Sequence, residues 1–174
     1  SDKEELIAFR DMVNSGKSFS KKTVSLTADI DLNNEEWIPI GSKEHPFAGS
    51  FQGNQKTVRN LKITDETLNE AGFFGNAQGA PIAVIADLTL ENVDIRANHT
   101  VGALGGYIVT KTMNCNVIGD ITITGTFMVG GLAGDHYSTI TNSHVRGNEG
   151  SSVNGLYVTA DSEGDNIGGL VGLR

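Results

Sequence analysis

The stretch VGGLAG, residues 129–134, sets three glycines around a single leucine. Glycine loses more conformational freedom on folding than any other residue, so a glycine cluster must gain something in packing. Close variants recur as AGFFG at 71–75, VGALGG at 101–106 and IGGLVG at 167–172. A cluster repeated in this way marks a structural unit that is itself repeated, and the period of the unit decides the architecture.

A second series fixes that period. VRNLKI (58–63), IADLTL (85–90), TMNCNV (112–117) and ITNSHV (140–145) align at steps of 27, 27 and 28 residues. Their third column reads Asn60, Asp87, Asn114 and Asn142, and their sixth reads Ile63, Leu90, Val117 and Val145. The glycine column falls at Gly72, Ala103, Gly131 and Gly169, and the last glycine of each unit is Gly75, Gly106, Gly134 and Gly172. No helical periodicity occurs inside a unit, which excludes helical repeats, and about 27 residues is too short for a propeller blade of roughly 40. Short strands separated by bends suit a coil that stacks on its predecessor at about 4.8 Å, so that equivalent residues form columns. The sequence therefore predicts an all-β fold, a right-handed parallel β-helix (β-solenoid).

The columns assign roles. Phe73, Leu104, Leu132 and Leu170, each between glycines, are expected to point inward. The glycines are expected where backbones crowd too closely for a Cβ or where φ is positive. Alternation of apolar residues breaks at the Asn/Asp column, and these side chains tolerate left-handed backbone, so Asn60, Asp87, Asn114 and Asn142 are predicted to stack at one corner. Residues 1–16 read differently. Leu6, Phe9 and Val13 recur at helical spacing, Asp2 stands three before Glu5 as an N-cap should, and Asn14-Ser15-Gly16 reads as a stop. The expected organisation is a capping helix over 1–16 and a solenoid over 17–174. Within it TVSLTADIDL (23–32) alternates, with Val24, Leu26, Ala28, Ile30 and Leu32 on one face.

These residues carry a resemblance. VGGLAG and IGGLVG, each preceded by an I/T-x-N-x-x-V segment, resemble the GLUG repeat of bacterial surface proteins. The upstream series, VNSGKSF and KTVSLTADIDL (13–32), WIPIG (37–41) and FAGSFQGNQKTVRNLKI (47–63), fits the same pattern. The resemblance implies a secreted or cell-surface bacterial protein, of several domains, serving adhesion. Similar repeats also accompany the protease part of immunoglobulin-cleaving metallopeptidases. It supplies no catalytic residues.

Composition bounds the partners and leaves the compartment open. The 174 residues hold 22 glycines and 3 prolines, and 13 basic against 21 acidic residues give a formal charge of −8. That balance disfavours nucleic acid and anionic membranes as partners. No apolar run approaches a transmembrane helix, and the single Cys115 cannot form an internal disulfide.

The candidate chemistry is sparse. His45, His99, His136 and His144 show no metal-ligand spacing, and His136 and His144 are expected in solvent. Cys115 shares a column with Leu88 and Ser143, so a buried small residue is expected there, not a nucleophile. Asp29 and Asp31 form a carboxylate pair on one strand face, read as an outward polar face. Arg59 and Asp87 lie in nearby columns without forming the cluster that a polysaccharide-cleaving β-helix needs. The last unit carries a ten-residue insertion containing DSEGDN (161–166), where Asp161, Glu163 and Asp165 read as a solvated acidic loop in preference to a calcium site. The region 148–166, with Leu156 and Tyr157, is a candidate contact surface. The chain stops after a complete GGLVG, which is expected to leave an open edge covered by further domains of the same chain or by another chain.

The reading that follows is a non-enzymatic surface module, adhesive or a spacer, with no catalytic residue, cofactor or metal. It would meet a host protein or glycan outside the cell. The alternatives are a carbohydrate-active parallel β-helix enzyme and the accessory region of a surface metallopeptidase.

Overall fold

A computed structural model describes residues 2–155 and 166–173. The chain is a parallel β-solenoid of about 5 turns with one short helix. The expected fold class is observed. The acidic residues 161–165, together with Leu156 and Tyr157, lie outside the described residues.

The helix runs Lys3–Asn14. Asp2, in extended backbone, caps it by accepting a hydrogen bond from the Glu5 N–H at 2.8 Å. Leu6, Phe9 and Val13 are buried under it and close the first coil. Arg10 is nearly buried as well, its guanidinium 5.0 Å from the Trp37 ring centre.

Three sheets follow, every strand pairing parallel to its equivalents in neighbouring coils. The first is built on the long strands Ser50–Ile63, Val84–Arg96 and Asn116–Gly125, flanked by shorter ones. The second stacks Glu70–Ala71, Thr100–Gly102, Met128–Gly130 and Asn166–Gly168. The third stacks Phe74–Ala77, Gly105–Ile108, Ala133–His136 and Val171–Leu173. Inward residues form continuous columns, such as Phe51 beside Ile85, and Val58, Leu90, Val117 and Val145 in succession. The segment 23–32 departs from the alternation read for it. It forms two short strands, Thr23–Ser25 and Ile30–Asp31, and the bend between them leaves Ala28 exposed.

The Asn/Asp corner proves to be two corners. Asp87, Asn114 and Asn142 have φ of 56°, 51° and 48°, and Asn114 Nδ2 donates to Asp87 Oδ1 at 2.8 Å. Asn60, with φ of 60°, is not in that column. Arg59 pairs with Glu91 and Leu61 with Val93, so Asn60 stands beside Asn92, and Gly119 continues that corner in the following coil. The cause is coil length. The register shifts between Gln52 and Lys56, where Asn54 and Gln55, both at positive φ, lengthen the strand relative to its neighbour. A fixed step of 27 from Val58 therefore lands on the wrong corner. Both corners carry the same local pattern, an Asn or Asp directly before an apolar residue, as in Asn60-Leu61 and Asp87-Leu88.

At either corner a side chain without a local hydrogen bond suffers the left-handed backbone penalty, about 1–2 kcal/mol. Asn114→Leu also loses the bond to Asp87. The expected loss is about 2 kcal/mol, read as a fall in melting temperature of about 4–8 °C. Asn114→Gly, which relieves the backbone, should recover part of it.

Candidate functional site

The glycine units shape one surface groove of the chain. Between each strand of the second sheet and the following strand of the third, the chain reverses within two residues, such as Gly131-Leu132. Leu132, Leu104 and Phe73 sit at the apex of the reversal and are fully buried. The two strands close on each other outside that apex. A Cβ on Gly134 would lie 2.5 Å from the Val101 nitrogen and 2.8 Å from the Met128 oxygen; on Gly106 it would lie 2.6 Å from both Ala71 N and Thr100 O. None of these glycines has positive φ, so crowding of backbone, not conformation, requires them.

The outer side of the reversal is a groove of about 640 Å³ running along the stack. One wall carries the column Glu70, Thr100 and Met128; the other carries the column Asn76, Tyr107 and Asp135, of which Tyr107 and Asp135 line the groove. Glu70 Oε2 accepts from Asn76 Nδ2 at 2.9 Å, and Gln78 Nε2 donates to Asn76 Oδ1 at 2.9 Å. Desolvation raises the Glu70 carboxyl above the ordinary range, opposed in part by Asn76. Asp135 is only 3% exposed. Burial raises its carboxyl too, while hydrogen bonds from Tyr137 and from the His136 backbone act against that rise. The Asp135 charge in turn raises the Tyr137 phenol. The Tyr107 and Tyr137 rings lie side by side, centroids 5.6 Å apart. Asp135 Oδ1 is buried without a hydrogen-bond partner.

Glu70 gives a prediction with a definite sign. A carboxyl whose folded value is raised favours the fold most when protonated, so its contribution is complete below the unfolded value and is lost as pH rises through the folded one. Glu70→Gln keeps an acceptor for Asn76 and removes the charge. The variant should be the more stable protein at pH 7, by about 0.5 kcal/mol allowing for solvent screening. Melts in a pH series should show the advantage vanishing towards pH 4.

The residues singled out in the sequence fall elsewhere. Asp29 Oδ1 accepts from the Thr57 N–H at 2.8 Å, and its Oδ2 lies 3.9 Å from the Arg59 guanidinium. Asp31 Oδ1 accepts from the Asn33 N–H and from Asn60 Nδ2, both at 2.8 Å, which lowers its carboxyl. The pair is exposed, as expected, and is committed to holding coils together. Arg59 pairs in register with Glu91, whereas Asp87 belongs to the Asn114 corner, so they share no column. Cys115 is buried, accepts a place between Leu88 and Ser143, and has its thiol pushed up to about 12 by burial. Such a thiol is inert at neutral pH.

Histidine positions divide. His45 and His144 are exposed, and His99 lines the groove, stacked on Phe127 at 4.5 Å. His136 corrects the expectation of a solvated ring. It is fully buried, in the inward column of Ala77 and Ile108, with Nε2 3.0 Å from Thr112 Oγ1 and Nδ1 accepting from the Ser138 N–H. The signal was present: His136 stands two past the last glycine of its unit, as Ala77 and Ile108 do. Counting one past the same glycine finds Asn76, Tyr107 and Asp135, the groove wall that the sequence reading missed. Among the described residues no group of three His, Cys, Asp or Glu side chains could hold a metal ion. No helix among them is long and apolar enough to cross a membrane.

Comparison with known proteins gives little to set beside this geometry. No protein-family profile matches the chain, and no solved structure matches it significantly. Halomucin from Haloquadratum walsbyi is 31% identical over 121 residues. The match covers 63% of this chain and 1% of halomucin, so the chain corresponds to a very small part of that protein.

Proposed function

We propose that the chain is a non-enzymatic module of a secreted or cell-surface protein, a stiff segment that serves adhesion or spacing and turns its outward columns towards a host protein or glycan. One observation carries this reading: surface carboxylates are spent on joining coils. Asp29 bonds Thr57, Asp31 bonds Asn60, Glu36 takes both the N–H and the hydroxyl of Thr64, Asp87 bonds Asn114 and Asp120 bonds Asn148. Each bond ties one coil to the next, which suits a rod. The similarity to halomucin supports a surface or secreted setting, and the likeness of the glycine units to GLUG repeats of bacterial surface proteins supports the same placement and further domains in the same chain.

A second reading, a carbohydrate-active enzyme, has Glu70 and Asp135 behind it, since acid–base chemistry on a glycoside needs two carboxyls in one groove, one of them able to hold its proton. Two measurements separate the readings. Antibody against the purified chain should label intact cells without permeabilisation. Polysaccharides incubated with the chain should release no reducing ends; release would establish the enzyme, and labelling only after permeabilisation would remove the surface assignment.

A further inference from the structure

The groove contains a carboxylate oxygen that the fold leaves without a partner. Asp135 lies almost wholly inside the protein surface, and its Oδ1 meets no donor. A buried acceptor of this kind costs stability and is rare in folded chains, so it calls for a donor from outside. Beside it are two tyrosine rings, and Tyr137 is 58% exposed. An exposed aromatic face next to an unsatisfied acceptor suits a ligand with an apolar side and hydroxyl donors.

The charges narrow the class. Glu70 and Asp135 face the groove from opposite walls, Glu44 lines it as well, and among the described residues Lys43 is the only lysine or arginine there. An anionic ligand would meet three carboxylates, which disfavours uronates, phosphates and acidic peptides. Glu44 and His99 also line the groove, but among the described residues no three His, Cys, Asp or Glu side chains are grouped closely enough to hold a divalent ion. A neutral sugar meets neither objection. Its ring presents C–H groups to a tyrosine face, and its hydroxyls donate to carboxylate oxygens. The groove also runs along the stack, with Tyr107 and Asp135 in adjacent coils, so it follows a linear chain of sugar units.

We propose that this groove binds a neutral oligosaccharide, its ring packed on Tyr107 and Tyr137 and its hydroxyls donating to Asp135 Oδ1 and Glu70. The assignment deepens the surface-module reading and rests on it in one respect, that the sugar is held and not cleaved.

The test uses the purified 174-residue chain on an array of neutral gluco-, galacto- and manno-oligosaccharides, with uronate oligosaccharides and a lysine-rich peptide alongside. Capture of at least one neutral series is expected, with no capture of uronates. Tyr137→Ala removes an exposed ring and should weaken capture tenfold or more. Asp135→Asn, which removes a desolvated charge, should weaken it about fivefold while melting no lower than the parent. That combination separates a ligand-binding role from a structural one. Capture of uronates alone, of the peptide alone, or of nothing would overturn the assignment, as would unchanged capture by both variants. Reducing-end release from a captured sugar would instead overturn the non-enzymatic reading and leave the groove assignment standing.

Discussion

Phe51→Ala is expected to lower stability by about 4 kcal/mol, the range for emptying a large aromatic site in a packed core. Phe51 is fully buried, with its ring 5.4 Å from Phe74, 5.7 Å from Phe73 and 6.1 Å from Phe9. The first two contacts are edge-to-face, an arrangement worth about 0.5–1.5 kcal/mol beyond area alone. The ring also joins the capping helix to the first two coils, because Phe9 belongs to the helix and Phe73 and Phe74 to the next reversal. Removing it opens a cavity and loosens the cap together. The melting temperature should fall by about 8–16 °C, at the 2–4 °C per kcal/mol expected for a chain of this size. Phe51→Leu, which keeps most of the volume, should lose less than half as much. The aromatic cluster, with Phe47 stacked on Phe74 and Trp37 on Phe73, lies towards the N-terminal coils. In a stack held by nearest-neighbour terms the other coils should therefore open first. Hydrogen exchange that slowed instead towards the C-terminal coils would contradict this account.

Gly134→Ala is expected to cost about 3 kcal/mol, although it adds a single methyl group. The new Cβ would stand 2.5 Å from Val101 N and 2.8 Å from Met128 O, and both are backbone atoms of paired strands. A flexible side chain could turn aside; a strand bonded on both sides cannot move without disturbing its ladder. Overpacking of this kind exceeds the gain of a few tenths to about 1 kcal/mol that alanine brings through a stiffer unfolded chain. A fall in melting temperature of about 6–12 °C should follow. The effect should extend to the groove, since Asp135 is the next residue. A variant that melted like the parent would show that the reversal is looser than its glycines indicate.

Much of this architecture was legible in the residues. The recurrence of the glycine units gave the repeat, and the leucines between the glycines gave an inward column that Leu104 and Leu132 occupy fully buried. Asp2 and Glu5 gave the helix start. The two possible reasons for the glycine column, crowding or positive φ, were both open, and the coordinates select crowding. The groove was not legible. Its walls come from Glu70, Thr100 and Met128 and from Asn76, Tyr107 and Asp135, which share a column but no chemical type. Periodicity detects likeness, and a binding wall made of unlike residues gives it nothing to detect.

The succession of short strands, the coiled architecture and the place of the helix follow from the sequence alone, because each rests on a local pattern of residues. Register was decided only by the tertiary structure. VRNLKI and IADLTL look equivalent, yet Val58 pairs with Leu90 and Ile85 with Phe51, since coil length varies and hydrogen bonding between neighbouring turns absorbs the difference in Asn54 and Gln55. Register in turn decides which side chains from separate coils meet. It buries His136 in a column of apolar residues and sets Asp135 beside Tyr107, because adjacency across a stack depends on the number of residues in each turn and not on the pattern within it.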